Sequence, residues 1–247
     1  MPFFERGDVR IHYQEFGSGY PVLLFAPGLM RSSHQIWLRQ DLKPHELLPD
    51  SFRVISMDQR NAGESYAPIR ATDGWVDYAH DAIGLIEHLG LERFHVWGRC
   101  VGPSFAMKVM HELGPRASMV TAFVDHAPIG LNKFNRGHFM YGFYEWAKEL
   151  PKGMLPGDFY TDPVVAAFCE NLFGSDFVFS VSREYVRTIS TPMLILPGRD
   201  LAHPEEVALE TAAMLPYAEV RHHWYDDLPG AGDAVKAFLQ AHTPART

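Results

Sequence analysis

The chain opens on an alternation of period two, Val9-Arg10-Ile11-His12-Tyr13-Gln14-Glu15-Phe16, which predicts a half-buried strand ended by Gly17-Ser18-Gly19. Pro21-Val22-Leu23-Leu24-Phe25-Ala26 is continuously apolar and stops at Pro27-Gly28, as expected of a strand buried on both faces. Phe52–Met57 predicts a further strand, followed by a polar loop from Asp58 to Ser65. The pattern then changes to a helical one. Ile83, Leu85, Ile86 and Leu89 mark a helix over about 77–89, stopped by Gly90. Phe94–Trp97 predicts a strand, and Phe105, Val109, Met110 and Leu113 a helix ended by Gly114-Pro115. Strands are expected at 120–124, 191–196 and 218–224, with helices over 205–215 and 234–241.

Strands that alternate with helices imply an α/β fold, a mainly parallel sheet with helices on both faces. Ligands bind such sheets beyond the carboxyl ends of the strands. Gly28, Asp58, Cys100 and Asp200 all fall at predicted carboxyl ends, so four loops are expected to meet on one edge. The alternation is interrupted between about 129 and 189. That interval is rich in aromatic side chains, among them Phe139, Tyr144, Trp146, Phe159 and Tyr160. It reads as a helical cap inserted in a single domain spanning 1–247. Phe139, Tyr144 and Trp146 are then candidates to line an apolar pocket, the alternative being ordinary helical packing.

Composition narrows the function. The 247 residues are 47% hydrophobic, enough for one substantial core. A net charge of −8, without a Lys/Arg-rich run, argues against nucleic acid as partner. No apolar run approaches the roughly 18–20 residues that span a bilayer. The first residues lack a secretory signal pattern, and two cysteines in all fit a reducing compartment, so a cytoplasmic location is expected. The 13 histidines show no metalloprotease spacing, and neither a metal nor a cofactor is expected. A small-molecule substrate is the expected partner; a homodimer is left open.

The chemistry concentrates at Gly98-Arg99-Cys100-Val101-Gly102, between a strand and a helix. A tight strand-to-helix turn presents its central side chain at the tip of the bend, with the helix N-terminus behind it. That position lowers a thiol pKa and favours the nucleophilic thiolate. The two glycines allow the bend and the close packing around it. Cys100 is the candidate nucleophile.

Taken together, these motifs resemble an α/β-hydrolase over nearly the whole chain. Pro27-Gly28-Leu29 stands where the family usually has His-Gly-x. The run from Asp58 to Ser65 resembles its D-x-R-G-x-G-x-S loop, with Asn61 in place of the first glycine. Residues 98–102 match the nucleophile elbow, and Gly198-Arg199-Asp200 with Pro204 resembles the acid loop. The family elbow carries Ser at its centre; cysteine is a minority pattern, found in dienelactone-hydrolase-like enzymes and polyester synthases. The resemblance implies an oxyanion hole from the backbone N–H groups of Val101 and Leu29. It implies Asp200 as the acid, with Asp125 as the alternative position. The family histidine is expected near 226–233, where there is none. His203, or His223 or His222, is then the base, or no histidine serves. The expected activity is hydrolysis of a small apolar or aromatic ester, lactone or thioester through a Cys100 acyl-enzyme. Acyl transfer to another acceptor, lyase chemistry and a ligand-binding role are the alternatives.

Overall fold

A computed structural model of the protein describes residues 2–151, 154, 155 and 161–245. Eight strands form one sheet: β1 (Phe3–Arg6), β2 (Val9–Phe16), β3 (Tyr20–Phe25), β4 (Phe52–Met57), β5 (Phe94–Arg99), β6 (Val120–His126), β7 (Met193–Leu196) and β8 (Ala218–Val220). Their spatial order is β1-β2-β4-β3-β5-β6-β7-β8. β1 and β2 pair antiparallel and β2 joins β4 antiparallel; every later pairing is parallel. The carboxyl ends of β3 to β8 therefore share one edge.

The longer helices are α3 (Trp75–His88), α4 (Gly102–Leu113), α5 (Arg136–Glu149), α6 (Pro163–Phe173), α8 (Glu205–Met214) and α9 (Leu228–Ala241); α1 (His34–Trp37), α2 (Pro44–Leu47) and α7 (Arg183–Val186) are single turns. None is long and apolar enough to cross a membrane, among the described residues. One core layer packs α3, α4 and the cap helices against the sheet through Leu23, Ile55, Val96 and Phe123; the opposite layer joins Val22, Trp37, Trp97 and Val124 to α9. β3 is buried on both faces, as its continuous apolar run dictates.

Three sequence expectations differ from the structure. β1 carries no apolar run and was outside the predicted elements; it is an edge hairpin partner of β2. In β2 the alternation fails at His12, which is buried because its Nδ1 meets Asp58 Oδ2 at 2.8 Å. The predicted strand 218–224 stops at Val220, and the supposed loop 226–233 is largely the first turns of α9. Asp227 caps that helix, accepting from Gly230 N at 3.0 Å, and Pro229 sits in its first turn, where it needs no N–H.

Candidate active site

The sheet register assembles the site. Phe25 aligns with Gly98, Gly98 with Asp125, and Asp125 with Ile195. Two residues beyond that row stand Pro27, Cys100, Ala127 and Pro197, and all four line one cavity of about 280 Å³. The strand ends are stitched together there: Cys100 N donates to His126 O at 3.0 Å, and Ala127 N to Leu196 O at 2.7 Å.

Cys100 has φ +60, a left-handed conformation that costs a non-glycine residue roughly 1–3 kcal/mol. The flanking glycines have mechanical reasons. A Cβ on Gly98 would lie 2.5 Å from Pro103 N, and one on Gly102 would lie 2.1 Å from Phe25 O. The elbow thus folds back on α4 and on the end of β3.

Asp200 and His203 leave β7 in one turn. Asp200 Oδ1 accepts from the backbone N–H of Ala202 and of His203, each at 2.9 Å. His203 Nδ1 lies 2.8 and 3.0 Å from the two carboxylate oxygens. Gly198 closes the turn: a Cβ there would lie 2.3 Å from His203 Cβ. The other ring nitrogen, Nε2, is buried and makes no well-aligned hydrogen bond among the described residues. The Cys100 thiol is nevertheless near enough for it and the imidazole to shift each other's pKa.

The electrostatics follow from that pairing. Burial pushes the Cys100 thiol up, but the charge and hydrogen bond of His203, with backbone hydrogen bonds from Gly28 and Val101, bring it net below its ordinary value. Burial works against charge on His203, yet Cys100 and Asp200 outweigh it and push the imidazole up to about 9. Burial raises Asp200 too, and its bonds to His203 and Ala202 hold it below the usual value. The thiol and the imidazole thus each favour the charged form of the other.

The other histidines stand apart. His222 Nδ1 is 3.6 Å from Glu205, and the His223 ring, 75% exposed, lies nearest Asp226 and the Tyr225 hydroxyl. Neither lines the cavity. The reason is the early end of β8: His223 at φ +52 turns the chain so that Trp224 points inward, its Nε1 donating to Pro197 O at 2.8 Å. His223 is therefore corrected as a candidate base. Asp125 is buried with no hydrogen-bond partner among the described residues, so His203 is served by Asp200.

At the oxyanion side, the strand-end group that reaches the sulfur belongs to Gly28, with Leu29 next in the same turn at φ +52. The cap aromatics lie elsewhere than expected. Phe139 packs with Phe173 and Phe179, and Trp146 is buried against Phe143 and Phe168 with its Nε1 donating to Asn61 O at 3.2 Å. Tyr144 bonds Cys169. None of the three lines the cavity at Cys100; their helical spacing serves the cap's own core, and Phe159 and Tyr160 lie outside the described residues. The cavity wall is instead made by Gln40, Asp41, Arg99, Arg199, Trp224 and Tyr225. Arg99, beside Cys100, and Arg199, in the Gly198-Arg199-Asp200 run, lay within motifs; the other four did not.

The loop after β4 supports the site without entering it. Asp58 accepts from His34 N at 2.6 Å and Glu64 N at 3.0 Å, and Arg60 pairs with Asp81 at 2.7 Å. Asn61 has φ +59, which Asn tolerates better than most residues, so it serves where the family pattern has glycine.

A family model for the alpha/beta hydrolase fold matches residues 21–193. Over 82 residues the chain is 33% identical to a protein of Agrobacterium fabrum provisionally named carbamate hydrolase RutD; the match covers 33% of this chain and 30% of that one, so it spans under a third of the relative's length. The fold resembles a meta-cleavage product hydrolase from Pseudomonas fluorescens IP01, with TM-score 0.69, 20% identity and 98% of each chain covered. It resembles the esterase RhEst1 from Rhodococcus sp. ECU1013 with TM-score 0.68, 17% identity and 98% of each chain covered. The order of strands, the elbow and the matched span place this chain in the alpha/beta hydrolase fold family.

Proposed function

We propose that this protein is a hydrolase that cleaves a small ester, lactone or thioester through a thioester on Cys100. The observation that carries the reading is the Asp200–His203 couple, hydrogen-bonded within one turn, lining the same cavity as the elbow thiol. The names of the similar proteins, hydrolases and an esterase, favour the same reaction class.

In this reading the Cys100 thiolate attacks the carbonyl carbon, and the carbonyl oxygen takes the negative charge. The N–H groups of Val101 and Leu29 stabilise that oxyanion. His203 gives its proton to the leaving oxygen or sulfur as the bond to carbon breaks, leaving an acyl-thioester. A water molecule then attacks the thioester while neutral His203 takes its proton. Collapse expels the thiolate, and the acid product leaves. Asp200 orients the ring and stabilises its charged form throughout. A thiol suits this arrangement because it needs less help from the base than a hydroxyl does.

Mass spectrometry after incubation with p-nitrophenyl acetate tests the proposal. An added acetyl mass on Cys100, absent from Cys100→Ala, is the expected result. An adduct of equal yield in both proteins would overturn it.

A further inference from the structure

The cavity beside Cys100 is more cationic than the protein around it. The chain carries a net charge of −8, yet Arg99, Arg199 and His203 all line this one space, against the carboxylates of Asp41 and Asp200. Asp200 is committed to His203 through both oxygens. Asp41 is a weak counter-ion: its side chain is 61% exposed and its Oδ2 is 3.6 Å from Arg99 Nη2. Arg99 Nη1 is buried and has no hydrogen-bond partner among the described residues, so the guanidinium is only partly paired. Arg199 makes no ion pair among the described residues and lies over the Tyr225 ring, its guanidinium carbon 3.7 Å from the centroid. The register explains why Arg99 is here. It precedes Cys100 at the end of β5 and lines the same cavity, so an acyl group on the sulfur shares that space with the guanidinium.

We infer that the substrate bears a carboxylate close to its scissile carbonyl, held by Arg99 with Arg199 at the rim and its carbon skeleton against Trp224 and Tyr225. A guanidinium is suited to this role because its planar fork matches a carboxylate. Asp41 then acts as a place-holder that the incoming carboxylate displaces. The cavity, at about 280 Å³, suits a small acid. The inference rests on the acyl-enzyme reading of the same cavity.

Alkylation of Cys100 tests the subsite without requiring that reading. Iodoacetate and iodoacetamide differ by a carboxylate against an amide; in both, sulfur bonds to the methylene carbon and iodide leaves. The readout is the ratio of the two rates, compared with the ratio for free cysteine at the same pH. Cys100 is expected to favour iodoacetate about tenfold more than free cysteine does. Arg99→Gln is expected to remove most of that preference, Arg99→Lys to keep part of it, and Asp41→Asn to increase it. A wild-type ratio equal to that of free cysteine, or one unmoved by Arg99→Gln, would overturn the inference. Should Arg99→Gln fail to fold, Arg199→Gln must lower the ratio and Asp41→Asn raise it; no change in either overturns it equally. Failure of the acetyl adduct with a retained iodoacetate preference would remove the hydrolase reading and leave the anion subsite standing.

Discussion

Two Asp–His couples stand at the carboxyl edge of this sheet, and they behave in opposite ways. Asp125 and His126 are adjacent at the end of β6. Asp200 and His203 are three residues apart after β7. Consecutive residues of a strand point to opposite faces, so Asp125 and His126 are separated by the sheet itself. Both are fully buried, and neither finds a hydrogen-bond partner among the described residues. His126 instead meets the Trp224 ring edge-on, 4.5 Å between centroids. Burial drives both toward neutrality: Asp125 up to about 8, His126 well below its ordinary value. The turn after β7 does the reverse. It brings Asp200 and His203 into contact and keeps both charged beside a thiol. Adjacency in sequence is thus no guide to pairing at a strand end; the turn geometry decides.

The largest expected effect that separates the couples is at His203. His203→Ala should slow acylation of Cys100 by about 10²–10⁴-fold, measured by stopped-flow release of p-nitrophenol. A comparable loss in His126→Leu with His203 intact would break the contrast. Asp200→Asn should cost less, roughly 10- to 100-fold, because it removes a charged hydrogen bond and leaves the base in place. Asp125→Asn should leave that rate within about threefold, since an effect of under 1 kcal/mol is expected from a group with no bond to the site.

A further measurement concerns the thiol. Alkylation by iodoacetamide should follow a pH profile with its midpoint below the ordinary thiol value of about 8.5. His203→Ala removes the cation that favours the thiolate, so the midpoint should rise. An unchanged midpoint in that variant would dissolve the ion pair.

How much of this was legible in the sequence depends on what fixed each feature. The elbow was legible because Gly98 is demanded by Pro103, within a few residues of it, although Gly102 is demanded by Phe25 at the end of β3, far away in sequence. The Gly198-Arg199-Asp200 turn was legible for the same reason. The choice among His203, His222 and His223 was not, because it turned on where β8 stops, and the pattern reads as strand for four residues beyond Val220. The walls Gln40, Asp41, Trp224 and Tyr225 come from segments far apart in sequence, brought together only at the carboxyl edge of the sheet. The cap aromatics misled as pocket candidates because periodicity reports which face is buried and not what buries it.

A separate effect lies in stability. An unfolded Asp ionises above about 3.9, whereas folded Asp125 keeps its proton up to about 8. Between those values the folded state holds the extra proton, so Asp125 lowers stability as pH rises. Asp125→Asn lacks that penalty. Its melting temperature relative to wild type should climb from pH 5 to pH 8, by roughly 2–4 °C per kcal/mol. A difference that stays flat over that range would mean Asp125 has found a partner.

The turn from Gly198 to His203 has a consequence for how this chemistry can be gained or lost. In the proposed reading acid and base ride on six consecutive residues, joined by hydrogen bonds within the turn. A single insertion or deletion there would silence both at once, whereas acid and base on separate loops could each be lost alone. The same compactness makes the turn portable. Grafted after β7 of a relative whose base follows β8, it would carry a complete proton relay, freeing that later loop to diverge without loss of the relay.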